Sequence, residues 1–316
     1  MWRRCVACPA SAGGDPASDS FEGGVDGVNA AAKDPAAAAA EQRAALLKRA
    51  MSLRARACKT NLALCGVPSG NLFEKEELAK ALAGAWEAKL SASVTMPLRQ
   101  MVGMPGNPRA GYVVLTLDTD AGFVDFLIDS GATTALISPK MREMLGDSAT
   151  DGAAIRGLGA MGETLRQKVT IEGISVGGKD LGSFDAVVTD LAASGLPPVI
   201  GGLVGLEFLS KFEVEFDFVN KVMKLHKPGT IKCGAVDVLD LVEIPMATHP
   251  TGLKTVACRL NKCEPFPAIV DMGSFFSVAN WMAATAGGSA PDSPGVTQSA
   301  MVRTEILEQQ LRMPLS

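Results

Sequence analysis

Apolar and polar positions alternate in two different rhythms along this chain. Before residue 90 the apolar positions recur every three or four residues. Beyond Gly111 they alternate, or run in short apolar blocks cut by Gly and Pro. Leu46, Leu47, Ala50, Met51, Leu53, Ala57 and Cys58 predict a helical stretch, and the run 66–71 (Gly-Val-Pro-Ser-Gly-Asn) ends it. A second helix is expected after it. Glu74, Glu76 and Glu77 near its start suit the helix dipole, and Phe73, Leu78, Leu82 and Trp86 form its apolar face. Residues 1–40 are rich in Ala, Gly, Ser and Asp with almost no large apolar side chains. They read as a disordered leader that cannot offset its ordering entropy. Residues 91–108 hold several Pro and Gly and read as a linker.

Strand patterns start at Gly111. Residues 112–117 and 123–128 form a predicted pair with a turn at 118–122. Further strands are expected at 168–171, 174–176, 184–188, 212–218 and 222–226, with short helices at 139–145 and 206–211. His226 reads as a strand residue near the domain edge without a chemical role. The strand, turn, strand, Asp pattern then repeats. Residues 252–258 lead through a turn to 266–270, and Asp271-Met272-Gly273-Ser274 stands where Asp129-Ser130-Gly131-Ala132-Thr133 stood in the first copy.

Composition narrows the chemistry. The 316 residues are 47% hydrophobic, 20% charged and 5% aromatic, enough for a buried aliphatic core. A net charge of −4 argues against a whole-molecule nucleic-acid or membrane field, and no apolar run approaches the roughly 18 residues a bilayer crossing needs. The expectation is a soluble intracellular protein of cytoplasm or organelle. The Arg-bearing start resembles a transit peptide, although Asp15, Asp19, Glu22 and Asp26 come early for one. Only two histidines exist, and the seven cysteines show one Cys-x-x-Cys (Cys5, Cys8), so no metal site and no cofactor are expected. Cys258 and Cys263 flank a predicted turn and could face each other.

The candidate chemistry is carboxylate chemistry. Phe126-Leu127-Ile128 deliver Asp129 from a core strand, Gly131 permits a tight turn, and Ser130 can hydrogen-bond backbone to lock the loop. Downstream, Leu203-Val204-Gly205 gives two apolar residues and a glycine before a short helix. Together these motifs resemble the retropepsin-like aspartic protease family over residues 109–228, with residues 250–282 resembling the front half of a second copy. The resemblance implies a mainly β chain: a closed β-barrel lobe plus a partial second lobe, preceded by a small α-helical module. It implies an aspartic-type endopeptidase acting on polypeptide, with Asp129 as catalytic carboxylate. Its active-site loop would be Ser130, Gly131, Ala132 and Thr133, with Gly273 and Ser274 as counterparts in the second copy. The glycine-rich run Gly157, Leu158, Gly159, Ala160, Met161 and Gly162 becomes a flap. That run also fits Gly-x-Gly-x-x-Gly, but a nucleotide site would need a helix after it, and the pattern there is strand-like.

The mechanism needs two carboxylates. Asp271 of the same chain is one source and Asp129 of a second chain in a homodimer is the other. Met272 lacks the hydroxyl of the family pattern, and no apolar-apolar-Gly segment follows Asp271 before Ser316. Both points tilt this reading toward the dimer, or toward a shortened version of a longer chain. An inactive peptide-binding or scaffold protein with the protease fold is the rival. The organisation expected is a leader (1–40), helical module (41–90), linker (91–108), protease lobe (109–230) and partial second lobe (231–316). Residues about 45–90, through the run 64–78, resemble a SAP-type helix-loop-helix motif, which implies a protein or nucleic-acid partner. Lys48, Arg49, Arg54, Arg56 and Lys59 would be its basic face.

Overall fold

The structure, a computed structural model, describes residues 34–102, 111–159, 162–192, 196–274 and 277–293. Its elements begin with helices α1 (Pro35–Ser52), α2 (Ala55–Cys65) and α3 (Lys75–Ser91). Strands β1 (Val94–Pro97), β2 (Arg99–Val102), β3 (Gly111–Thr119), β4 (Gly122–Ile128) and β5 (Ala135–Ile137) follow. After helix α4 (Pro139–Leu145) come β6 (Ala149–Gly159), β7 (Gly162–Val176), β8 (Lys179–Val188) and β9 (Ile200–Val204). Helix α5 (Leu206–Leu209) precedes β10 (Glu213–Asp217), β11 (Val222–His226), β12 (Met246–Thr248), β13 (Lys254–Cys258) and β14 (Phe266–Ile269), and α6 (Trp281–Ala286) is the last element of the described residues. Contacts group these into two units. The first holds the described residues up to Thr95 together with Glu213–Val242. The second holds Met96–Phe212 and the described residues from Glu243 onward.

In the first unit, α1 starts inside the expected leader. Asp34 accepts from the Ala36 N–H at 3.0 Å, Pro35 fills the first helical position, and the following alanines are the best helix formers. Residues 35–40 are therefore helical; residues 1–33 lie outside the described residues. The helical stretch also breaks where one run was expected, because Leu53 is extended between α1 and α2. Leu46, Ala50, Cys58, Leu62, Leu78, Ala79, Leu82 and Trp86 close one core. Each large aliphatic there contributes about 2 kcal/mol on burial. Phe73, expected on the apolar face, precedes α3 and is exposed.

Cys233 and Ala235 complete this core, so residues 231–242 pack with the helices and not with a second lobe. The Trp86 indole N–H donates to the Cys233 carbonyl at 2.8 Å. The Arg49 guanidinium lies 4.2 Å from the Trp86 ring centre and donates to the carbonyls of Gly234 and Ala235, the latter at 2.8 Å. Arg49 is thus a core-sealing residue and not part of an open basic face.

Strands β10 and β11, expected in the protease lobe, form a three-stranded sheet with β1 in the order β1-β11-β10. His226 is not at an edge. It lies on the central strand, 1% exposed, and its ring bridges Ser93 at 2.8 Å and Glu215 at 2.9 Å.

The second unit contains the barrel. Its eight strands run β2-β3-β4-β9-β5-β8-β7-β6, and Asp118 of β3 pairs with Ser175 of β7, which closes a ring through β4, β9, β5 and β8. Strand β2 falls in the expected linker and pairs with β3 at the barrel's side. Phe126, Phe184, Phe208 and Phe212 form a chain of two edge-to-face contacts and one tilted contact with ring centres 5.2–6.2 Å apart. A separate sheet β12-β13-β14 carries the second copy of the repeat. Among the described residues no helix is long and apolar enough to cross a membrane.

Candidate active site

Asp129 leaves the barrel at the end of β4. Phe126, Leu127 and Ile128 are all buried at the end of the strand, and β9 runs parallel beside it with Leu203 opposite Leu127 and Val204 opposite Ile128. The Asp129 N–H donates to the Val204 carbonyl at 3.1 Å. Beyond it the loop turns back on itself: the Asp129 carboxylate accepts from the Gly131 N–H at 2.8 Å, and Ala132 N–H donates to the Asp129 carbonyl at 3.3 Å. The carbonyls of Ala132 and Thr133 then accept from Leu206 N–H at 2.8 Å and Glu207 N–H at 3.0 Å. Gly205 makes this possible, because a Cβ there would lie 2.6 Å from the Thr134 carbonyl oxygen. Leu203-Val204-Gly205 therefore packs against the loop it was expected to support.

Asp271 follows β14 in the second sheet of the same unit. Its carboxylate accepts from Gly273 N–H at 2.8 Å, the same bond that Asp129 makes with Gly131. The two loops meet face to face. A Cβ on Gly131 would lie 2.7 Å from the Asp271 carboxyl carbon, and one on Gly273 would lie 2.6 Å from the Asp129 carboxyl carbon. Only glycine leaves room for each carboxylate against the opposite loop. The preference for a second chain as source of the partner carboxylate is thus not what the fold requires, since one chain brings both together.

Ser130 supplies the reason the loops hold. Its hydroxyl, 2% exposed, donates to the Val270 carbonyl at 2.7 Å and accepts from Met272 N–H at 2.9 Å. A single hydroxyl ties both sides of the opposite loop, while Met272 has none to return. Sequence reasoning missed Val270 and the Met272 N–H as partners. The repeat held the signal, because it sets Val270 where Ile128 stands and Met272 where Ser130 stands.

The electrostatics follow from this geometry. Burial, followed by the neighbouring Asp271 charge, raises the Asp129 carboxyl to about 6, against the opposing pull of the Gly131 N–H. Asp129 is half-buried and Asp271 exposed.

Strands β6 and β7 pair antiparallel over a long stretch, with Gly159 opposite Gly162 as the last described pair. Gly157, Leu158, Gly159 and Gly162 lie in its paired strands. Ala160 and Met161 lie outside the described residues. The strand after this glycine run leaves no helix for a nucleotide site. Thr133 is exposed and its methyl lies near Gly252, whose Cβ would be 3.3 Å away; Ser274 is exposed beside Gly273. No group of three or more metal-ligating side chains occurs among the described residues.

Residues 115–208 match the family model described as aspartyl protease. Among solved structures, the chain is similar to a retropepsin-like aspartic protease from Rickettsia conorii. The identity is 16%, the match covers 43% of this chain and 90% of that one, and the TM-score is 0.29. No curated protein matches the chain.

Proposed function

We propose, from the match of residues 115–208 to the aspartyl protease family model, that this chain is an aspartic-type endopeptidase using Asp129 and Asp271. The observation that carries the reading is the face-to-face approach of the two aspartate loops, each carboxylate fitted against the other's glycine. Two carboxylates this close cannot both ionise easily, so they hold one proton between them. The ionised member takes a proton from a water lying between them, and that water attacks the scissile carbonyl carbon. The protonated member gives its proton to the carbonyl oxygen, forming a tetrahedral gem-diol; as the C–N bond breaks, the proton taken from water passes to the amide nitrogen and one hydroxyl proton returns to the carboxylate pair. Ser130 and Gly131 hold the first carboxylate, Gly273 and Ser274 belong to the second loop, and Leu203, Val204 and Gly205 brace the first from behind. Gly157, Leu158, Gly159 and Gly162, in the paired ends of β6 and β7, belong to the flap of this reading, which would cover an extended polypeptide and exclude water.

A second reading has its own support. Met272 and the exposure of Asp271 favour a protease fold that holds peptides without cutting them. Digestion of an unstructured protein from acid to neutral pH separates the two, with wild type beside Asp129→Asn and with a hydroxyl-bearing transition-state inhibitor. Cleavage that disappears in the variant and with inhibitor supports the endopeptidase. A folded wild type that binds peptide and cuts nothing at any pH supports the binding protein. A docking role for the helical unit, toward a protein or nucleic acid, is a separate proposal resting on the exposed Lys48, Arg54, Arg56 and Lys59.

A further inference from the structure

The second copy of the repeat runs on past its aspartate. In the first copy Ser138 caps α4, its hydroxyl accepting from Met141 N–H at 3.1 Å. At the same offset from Asp271, Asn280 caps α6, its side-chain oxygen accepting from Ala283 N–H at 2.9 Å. The surroundings of the two helices differ. Helix α4 buries Met141 and Leu145, and a Cβ on Gly201 of β9 would lie 3.3 Å from the Met141 sulfur. Helix α6 buries no side chain and leaves Trp281 55% and Met282 68% exposed. It is held in place all the same, because the Asn261 amide of the β13–β14 turn donates to the Gly287 carbonyl at 2.6 Å.

The strands differ in the same way. Strand β4 lies between β3 and β9, whereas β14 pairs, among the described residues, with β13 alone. The Val270 N–H donates to the Lys254 carbonyl at 3.0 Å. The next pair, Thr255 opposite Ile269, is therefore the kind whose backbone groups point away from each other. The Ile269 N–H and carbonyl thus face the open edge of β14, and the Ile269 side chain is 52% exposed. Leu127 holds this place in the first copy, with Leu203 opposite it, and the Asp129 N–H donates to the Val204 carbonyl. Among the described residues nothing accepts from the Asp271 N–H. Strand β14 and helix α6 lack the same neighbour, a strand in the position of β9.

We propose that the open edge of β14, with α6 beside it, is a docking site for an extended segment of a second polypeptide. The segment lies parallel to β14 and reads two aliphatic residues and then glycine. The first copy identifies this occupant, since Leu203-Val204-Gly205 fills the corresponding place beside β4. Residues 272–316 hold no such run, and β9 is already paired within the barrel. Unpaired N–H and carbonyl groups of an edge strand are a template for an added strand, and side chains on the flanking surface choose its sequence. Pro267 stands where Asp125 does, at the shift in the β4–β9 register, so pairing is confined to the stretch from Ala268 to Asp271. This inference concerns the strand behind Asp271 and is independent of whether the chain cuts peptides.

The test titrates the full chain with a synthetic peptide and maps amide hydrogen exchange. The peptide carries residues 198–206 of this chain (Pro-Val-Ile-Gly-Gly-Leu-Val-Gly-Leu) behind two added lysines. The expected result is saturable binding. Exchange at residues 268–272 should slow about tenfold once free peptide stands about tenfold above its Kd. Trp281 fluorescence should move to shorter wavelength. Wild type and Asp129→Asn should behave alike, which separates docking from cleavage and keeps the peptide whole in the second. A peptide with aspartate in place of the valine of Val204 should not bind. Ile269→Lys should lose binding, and since Ile269 is exposed the variant should fold. The mapping itself needs only the wild-type sequence. The proposal is overturned if the peptide leaves exchange at 268–272 unchanged, slows it in β6 and β7 instead as a substrate would, or slows it at β4 by displacing β9. It is equally overturned if the Ile269 and Asp271 amides are protected before peptide is added, since the edge is then already filled.

Discussion

At Asp129 and at Asp271 the same bond recurs: a carboxylate oxygen accepts from the N–H two residues on, at 2.8 Å in each loop. Behind that bond the two loops differ. The first is backed by β9 through Val204 and tied to the start of α5 through Ala132 and Thr133. The second follows the edge strand of a three-stranded sheet whose Ala257, Pro267 and Ile269 are exposed. Two hydrogen bonds of Ser130 tie it to the first loop. The difference teaches that presenting a carboxylate needs only a short turn, whereas fixing it needs structure behind the turn. A loop without that structure can take its rigidity from its partner.

The largest effect should come from Asp271→Asn. If the pair works within one chain, kcat/KM should fall about 10²–10⁴-fold, as far as in Asp129→Asn. A variant that keeps wild-type activity, with a rate depending on protein concentration, would move the second carboxylate to another chain's Asp129.

Gly273→Ala comes next. Its methyl would stand 2.6 Å from the Asp129 carboxyl carbon and force the loops apart. A loss of roughly 100-fold in kcat is expected with little change in thermal stability, since ångström-scale misplacement is enough to cost that much. Unchanged kcat would show that the loops need not touch.

The pH dependence probes the drier side of the pair. With Asp129 raised to about 6, activity that needs the shared proton should decline about tenfold per unit above that pH. For stability, the folded state holds the Asp129 proton between the ordinary carboxylate range and about 6, where the unfolded chain has lost it. Stability therefore falls as pH rises through that window. Asp129→Asn should remove the fall and gain on the order of 1–3 kcal/mol at neutral pH, measured by urea unfolding at two pH values.

The smallest effects concern the shared hydroxyl. Ser130→Ala removes two hydrogen bonds and should cost about 1–3 kcal/mol together with roughly tenfold in kcat/KM. Met272→Ser gives the second loop a hydroxyl of its own and should recover at most about 1 kcal/mol. If Ser130→Ala leaves activity intact, the second loop has support other than Ser130.

The legible parts of this molecule were the local ones. The bounds of α4 and β11, the hairpin β3–β4 and the turn after Ile128 all follow from patterns within a few residues. The start of α1 was written in Asp34-Pro35 and the alanines after it, but low overall hydrophobicity outweighed that cap signal. Ring closure through Asp118 and Ser175, the company of β1 with β11, and Cys233 beneath Trp86 are long-range pairings that no local pattern encodes. At the site, Asp129 and Asp271 were both visible as repeat endpoints. That Ser130 serves both loops could be reached only through the alignment of the two repeat copies, because the acceptor is the backbone of Val270 and carries no residue-specific mark.

The core that Trp86 seals has a consequence for the order of events during synthesis. Its helices leave the ribosome first, yet Cys233 and Ala235, which complete it, arrive only after every strand of the barrel has been made. The barrel has all its ring partners by Val204. On a chain made from its N-terminus, the part begun first is therefore finished last, and the three helices wait with an open apolar face while the barrel folds. A nascent chain halted near residue 212 should expose that face, and one halted beyond residue 242 should cover it.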